Sequence, residues 1–195
     1  MCGRYYFDID EKELQEIIEE VQSNLNKKDY KTGEIYPTNI APIITKQGIA
    51  LAKWGFPKWD NKGVVINARA EGISDKRMFK NLVNSNRCII PASAYYEWNN
   101  KNKYIFKKDD SILYMGGLYN NFYDKKYEQL SIFDANNKDY TAFTIITKEA
   151  NSYVSNIHDR MPLIFTKEEM QAWLHGEDLK YLLNNNDACL EYSIS

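Results

Sequence analysis

The sequence predicts an α+β fold, mainly antiparallel β, with a few helices at its periphery. Between Arg87 and Tyr119, short runs rich in Ile, Tyr, Phe and Trp alternate with Asn-, Asp- and Lys-rich turns, the pattern of successive antiparallel strands. An amphipathic stripe near the N-terminus and a capping box near the C-terminus supply helices outside that stretch. No internal repeat, low-complexity tract or linker interrupts the chain, so residues 1–195 are read as one domain large enough to bury a core.

Asp10-Glu11-Lys12-Glu13 opens the first helix with an acidic cap and a glutamate three residues on. Leu14, Ile17, Ile18 and Val21 then follow helical spacing. The polar stretch from Asn24 to Gly33 is a loop. Pro37 and Pro42 break the pattern before Ile43-Ile44, and Lys46-Gln47-Gly48 turns into a second strand ending near Trp54. Trp54-Gly55-Phe56-Pro57-Lys58-Trp59 is aromatic and poor in helix formers. Packing in the core is the reading the sequence favours there, with a base-stacking surface as the alternative.

Val64 to Glu71 reads as a single strand. Period two puts Val64, Ile66, Ala68 and Ala70 on one face, and Asn67, Arg69 and Glu71 on the other. That polar row lines a cleft or lies on a solvated sheet face. Arg87–Pro91, Ala94–Trp98, Lys103–Lys107 and Ile112–Tyr119 then form a meander. Within it Glu97 stands between Tyr96 and Trp98. Enclosed by aromatics, its carboxyl would titrate high and suit general acid–base work; turned outward, it would be an ordinary solvated glutamate.

Asp124 to Asp139 is polar and reads as a surface hairpin or loop, followed by a strand over Thr141–Thr147 and a short helix over Glu149–Ile157. His158-Asp159-Arg160-Met161-Pro162 makes a polar corner before the strand Leu163-Ile164-Phe165. Thr166-Lys167-Glu168-Glu169 opens a capped helix that closes near Gly176. A second short helix around Leu179–Leu183 and an asparagine loop complete the chain.

Composition narrows the function classes. The chain is 44% hydrophobic and 27% charged, ordinary for a globular protein, with an aromatic content of 14%. A formal net charge of −2 argues against coating nucleic acid by bulk electrostatics, while leaving room for a local arginine cluster. No apolar run approaches a membrane span and no signal-peptide pattern opens the chain, so a cytoplasmic protein without a membrane partner is expected. Cys2, Cys88 and Cys189 are widely spaced and form no C-x-x-C or Cys/His ligand pair. Neither a metal site, a cofactor nor a disulfide framework is expected. Cys88, in the run Cys88-Ile89-Ile90, reads as a buried structural thiol. Of the two histidines, His175 falls on the capped helix, whereas His158 sits beside a carboxylate and a cation able to set its pKa.

Met1-Cys2-Gly3-Arg4 offers chemistry that an internal residue cannot. Removal of Met1 would leave Cys2 with a free α-amine beside its thiol. Such a 1,2-aminothiol attacks an aldehyde through nitrogen and closes a thiazolidine through sulfur. An α-amine has a reference pKa of about 7.8, so about a tenth of it is neutral at pH 7, several hundred times the lysine fraction. An incidental residue at a frayed terminus is the plainer alternative.

The ordered set of motifs resembles the SOS response-associated peptidase (SRAP) family of abasic-site processing proteins. It comprises Met1-Cys2-Gly3-Arg4, Trp54-Gly55-Phe56-Pro57, Asn67-Ala68-Arg69-Ala70-Glu71, Arg87-Cys88-Ile89-Ile90-Pro91 and Tyr96-Glu97-Trp98. Gly117-Leu118-Tyr119, Thr144-Ile145-Ile146-Thr147 and Ile157-His158-Asp159-Arg160-Met161-Pro162 follow in the family's order. The Trp54 block is compact, and Tyr119 stands where a tryptophan is common. The resemblance implies a barrel-like antiparallel sheet, a positively charged groove, and covalent capture of an abasic site in single-stranded DNA during the SOS response. The ring-opened sugar is an aldehyde, the group that the N-terminal chemistry would trap. By position, Cys2 resembles the nucleophile, with Asn67, Glu97 and His158 as supporting catalytic residues. Arg4, Arg69 and Arg160 resemble phosphate ligands, and Pro37, Trp54 and Trp59 are candidates to stack on bases or wedge them apart. A lyase side reaction, autoproteolytic processing, association with the nucleoid at damaged DNA and a monomeric state are further expectations. Two rivals remain at this stage: a cysteine peptidase using Cys2 with His158 as base, and a non-covalent single-stranded DNA-binding module.

Overall fold

A computed structural model describes residues 2–24, 30–60, 62–109, 111–123, 139–186 and 188–194. Strand β1 (Tyr5–Phe7) leads into helix α1 (Lys12–Asn24). Leu14, Ile17, Ile18 and Val21 are all buried on it, so its spacing does what an amphipathic stripe requires. β2 (Gly33–Ile35), β3 (Ile40–Thr45) and β4 (Gly48–Trp54) follow. A small hairpin, β5 (Phe56–Pro57) with β6 (Val64–Val65), precedes β7 (Asn67–Arg69). After a 3-10 turn (Ile73–Asp75) and the single turn of α2 (Leu82–Ser85) come β8 (Arg87–Ala92), β9 (Ala94–Asn99), β10 (Asn102–Lys107) and β11 (Leu113–Tyr123). β12 (Asp139–Glu149), β13 (Arg160–Pro162) and β14 (Ile164–Phe165) lead to α3 (Lys167–Leu174), α4 (Leu179–Asn185) and β15 (Glu191–Ile194).

Five strands close on themselves in the order β12-β4-β3-β8-β11, because β11 also pairs with β12. β13 and β7 pair with β12, and β14 with β11. Closure removes the exposed sheet edges that an open sheet leaves. Gly117 lies at a close approach within this ring: a Cβ there would stand 2.4 Å from Ile90 Cδ1 and 2.7 Å from the Thr144 carbonyl, so only glycine fits. A second sheet, in the order β15-β10-β9-β1-β2, packs beside the ring. Trp54 is the joint between them. Its fully buried ring stacks on Phe143 of β12 (6.2 Å, 5°) and meets Tyr5 of β1 at 5.2 Å. Its indole N–H donates to the Ile66 carbonyl at 3.1 Å.

The arrangement is the expected α+β, mainly antiparallel barrel with peripheral helices, but several local expectations change. Val64–Glu71 is two strands rather than one: β6 pairs with β5, whereas β7 runs parallel to β12. The break falls at Ile66, whose carbonyl accepts from both Trp54 and Ile145. The meander changes sheet at Ser93, where the Ser93 N–H donates to Tyr6 O at 2.8 Å and its Oγ accepts from Asp8 N at 2.9 Å. Consequently β8 belongs to the barrel and β9 with β10 to the second sheet. The stretch expected to be a helix over Glu149–Ile157 forms consecutive turns instead. Asn151 diverts its own backbone there, since its Oδ1 accepts from Tyr153 N while its Nδ2 donates to Ala188 O, a local competition that disfavours helix. The loop expected over Asp124–Asp139 lies outside the described residues except for Asp139, which begins β12, and residues 25–29 of the first loop lie outside them too. The Thr166 capping box forms as its sequence predicts, with reciprocal bonds to Glu169 of 3.2 and 2.8 Å. No helix among the described residues is long and apolar enough to cross a membrane.

Candidate active site

The chain enters β1 alongside β9, with the Tyr96 N–H donating to the Arg4 carbonyl at 3.0 Å. Tyr5 pairs with Tyr95, and the same register continued sets Glu97 level with Gly3, next to Cys2. From the barrel side, β7 brings Asn67, whose Nδ2 donates to the Cys2 carbonyl at 2.9 Å. The turns after β12 carry His158, which places Nε2 3.8 Å from Glu97 Oε2. A bond from Asn99 Nδ2 to Asn156 O (3.3 Å) ties those turns to the tip of the second sheet. Cys2, Asn67, Glu97 and His158, spread through the sequence, thus meet where sheet and barrel join. Asn67 Oδ1 is buried without a hydrogen-bond partner among the described residues, an acceptor available to a ligand.

Burial governs the electrostatics. Glu97 is only 2% exposed, and loss of hydration pushes its carboxyl up to about 7 against the pull of the N-terminal ammonium charge, aided by the Asp159 charge. Its acid and base forms are therefore both well populated near neutral pH, the condition for proton transfer in either direction. Burial also lowers the His158 pKa below its ordinary value, although the Asp159 carboxylate pulls the other way. The Cys2 thiol is fully buried, and desolvation followed by the Glu97 charge raises it well above the usual thiol range. It stays protonated until it reacts, and it donates to the Arg4 carbonyl at 3.8 Å.

The expected DNA contacts are placed very differently from one another. Arg69 is exposed and has no carboxylate partner among the described residues. Arg4 lies on the face of the second sheet away from Glu97, between the rings of Tyr36 (4.4 Å) and Trp98 (5.0 Å), with Nη1 3.3 Å from Glu34. Glu34 also accepts from the Tyr36 hydroxyl and from Lys103 Nζ at 2.9 Å. Arg160 is buried and pairs bidentately with Glu71 at 3.0 and 2.8 Å. Pro37 is half-buried in a turn whose next residue, Thr38, has φ of 75°, an uncommon conformation for a β-branched side chain. Trp59 is 93% exposed and free to meet a base. Trp54 is a correction: with Phe143 and Tyr5 against its ring, no face is left for stacking, and core packing holds. Asp159 acts on the His158 pKa as its position beside that residue suggested, whereas the role of Glu71 was missed. For Glu71 a signal existed, since it stands two and four residues after Arg69 and Asn67 on one polar face.

The family described as SOS response associated peptidase (SRAP) matches residues 1–192. The chain is 33% identical over 214 aligned residues to the abasic site processing protein YoqW of Bacillus subtilis, covering 96% of this chain and 88% of that protein. It is 26% identical over 193 residues to the abasic site processing protein YedK of Escherichia coli, covering 91% and 81% respectively. A crystal structure of a Bacteroides thetaiotaomicron protein superposes with a TM-score of 0.76 at 25% identity, over 99% of this chain and 91% of the other. This chain belongs to the SRAP family.

Proposed function

We propose that the protein captures abasic sites in single-stranded DNA as a covalent thiazolidine with Cys2, once Met1 has been removed. The supporting observation is convergence: Asn67 grips the main chain of Cys2, while a buried carboxyl of raised pKa and a neutral-leaning imidazole stand beside it. The names of the relatives, abasic site processing proteins, support the same substrate.

The α-amine of Cys2 adds to the C1′ aldehyde of the ring-opened sugar. Glu97 in its acid form protonates the departing hydroxyl, so the carbinolamine loses water and becomes an imine. The thiol sulfur then adds to the imine carbon, and its proton passes by way of the carboxylate to the nitrogen. Amine, thiol and aldehyde become thiazolidine with loss of one water. Asn67 Oδ1 accepts from the amine or a sugar hydroxyl, and His158 assists proton transfer. Arg69 and Arg4 contact the phosphates, while Trp59, with Pro37, stacks on or separates the neighbouring bases. Where ring closure lags, the imine acidifies the adjacent sugar carbon and β-elimination becomes a side route. A general cysteine peptidase fits less well, because a reactive thiolate requires a lowered thiol pKa and this thiol's is raised.

Intact mass of the protein before and after incubation with an abasic oligonucleotide tests the reading. The form lacking Met1 gains the mass of the oligonucleotide less one water. Cys2→Ser keeps the amine, so it yields an adduct only when borohydride reduces the imine. A stable adduct with Cys2→Ser in the absence of reductant, or none with the processed wild type, would refute it.

A further inference from the structure

Arg160 has the sequence context of a phosphate contact but not the exposure. Nη1 and Nη2 bond to the two oxygens of Glu71, Nη2 also donates to the Thr147 carbonyl at 2.7 Å, and Nε is buried. Its main chain, however, reaches the catalytic cluster: the Arg160 N–H donates to His158 Nδ1 at 2.9 Å. We infer that Glu71 and Arg160 are positioning residues, a clamp that fixes this N–H so that the His158 proton resides on Nε2, facing Glu97.

The argument turns on a nitrogen with two claimants. Asp159 Oδ1 lies 2.8 Å from the same Nδ1, and a bond to it requires the proton on Nδ1. The Arg160 N–H requires a lone pair there instead, and one ring nitrogen cannot offer both. The Asp159 side chain is 84% exposed, so water competes for it. The Arg160 amide is held on one side by pairing of Arg160 with Glu149 across β12 and β13, and on the other by the bidentate grip on its side chain. While the clamp is closed, the amide wins. With Glu71 neutralised, the buried guanidinium loses its counter-charge, the residue shifts, and the imidazole turns its Nδ1 proton to Asp159. An acceptor nitrogen then faces Glu97 in place of a donor.

The catalytic consequence rests on the proposed capture reaction, whereas the tautomer does not. The ring nitrogens of the protein's two histidines are resolved by 15N NMR, with His175 as the reference. In the wild type His158 Nδ1 appears as an unprotonated nitrogen; in Glu71→Gln it moves toward the protonated position. Adduct formation slows by roughly ten- to a hundredfold, the loss expected from a misplaced catalytic group. Affinity for an oligonucleotide carrying a tetrahydrofuran spacer, which cannot react, stays within about twofold, under 0.5 kcal/mol. Glu71→Asp, which keeps the charge, restores part of both readouts. An unchanged Nδ1 resonance in Glu71→Gln overturns the clamp, and so does a loss of DNA affinity that matches the loss of capture, which would make the defect one of binding and not of the His158 tautomer. Because the NMR arm needs no DNA, its failure sinks the clamp alone. Absence of any wild-type adduct sinks the capture reaction and leaves the clamp intact.

Discussion

Glu97 on the second sheet and Glu71 just beyond the end of β7 are the same residue type in neighbouring parts of the fold, yet they titrate in opposite directions. Glu97 is almost fully enclosed. Burial therefore dominates and the carboxyl rises to about 7. The Glu71 side chain is 50% exposed. Burial raises it too, but two charge-assisted bonds from Arg160 outweigh that and its pKa falls below the ordinary value. Near-complete enclosure leaves desolvation in command at Glu97, whereas at half-exposed Glu71 a bidentate partner overrides it. One carboxyl is thereby kept ready to exchange protons and the other is held as a fixed anion.

The sharpest way to break this contrast is Glu97→Gln, which should slow adduct formation by roughly 10²- to 10⁴-fold, the usual worth of a general acid–base group. Single-turnover rates from pH 5 to 9 should show a wild-type descending limb near pH 7 that the variant lacks; a shared limb assigns the titration elsewhere. The same substitution separates the glutamates by stability. Glu97's folded pKa lies above its unfolded 4.5, so the folded state holds the extra proton between the two values and stability falls as pH rises through that window. Relative to wild type, Glu97→Gln should gain up to about 3 kcal/mol between pH 5 and pH 8 in urea denaturation. Glu71 should behave in reverse. Its depressed pKa contributes stability above 4.5 that is lost as pH falls through the folded value. Glu71→Gln should cost about 1–3 kcal/mol at pH 7 by leaving Arg160 under-bonded, and the difference should shrink below pH 4. Thr166→Ala, remote from both, should cost about 1 kcal/mol through its lost cap and leave the adduct rate and its pH profile alone.

Where the pattern is local, the sequence was readable. The α1 stripe, the Thr166 capping box and the turns around β9 and β10 depend on residues within a few positions of each other. The alternation of Asn67, Arg69 and Glu71 was also legible, but which strand would receive it was not. β15 was missed because the polar–apolar alternation of Glu191–Ile194 is only four residues long and all four are exposed; pairing with β10 makes it a strand. Trp54 was open to two readings until Phe143 and Tyr5, from distant segments, covered its ring.

By itself the sequence determined a β-rich chain with capped peripheral helices, a cysteine second in line, and the ordered motifs of one family. These are matters of spacing and residue chemistry, and they survive without coordinates. Tertiary structure alone decided that Glu97 is buried rather than solvated, that Trp54 is core, and that Arg160 is engaged by Glu71. Each depends on how much water is excluded and which distant group arrives within bonding reach, and no local pattern encodes either quantity.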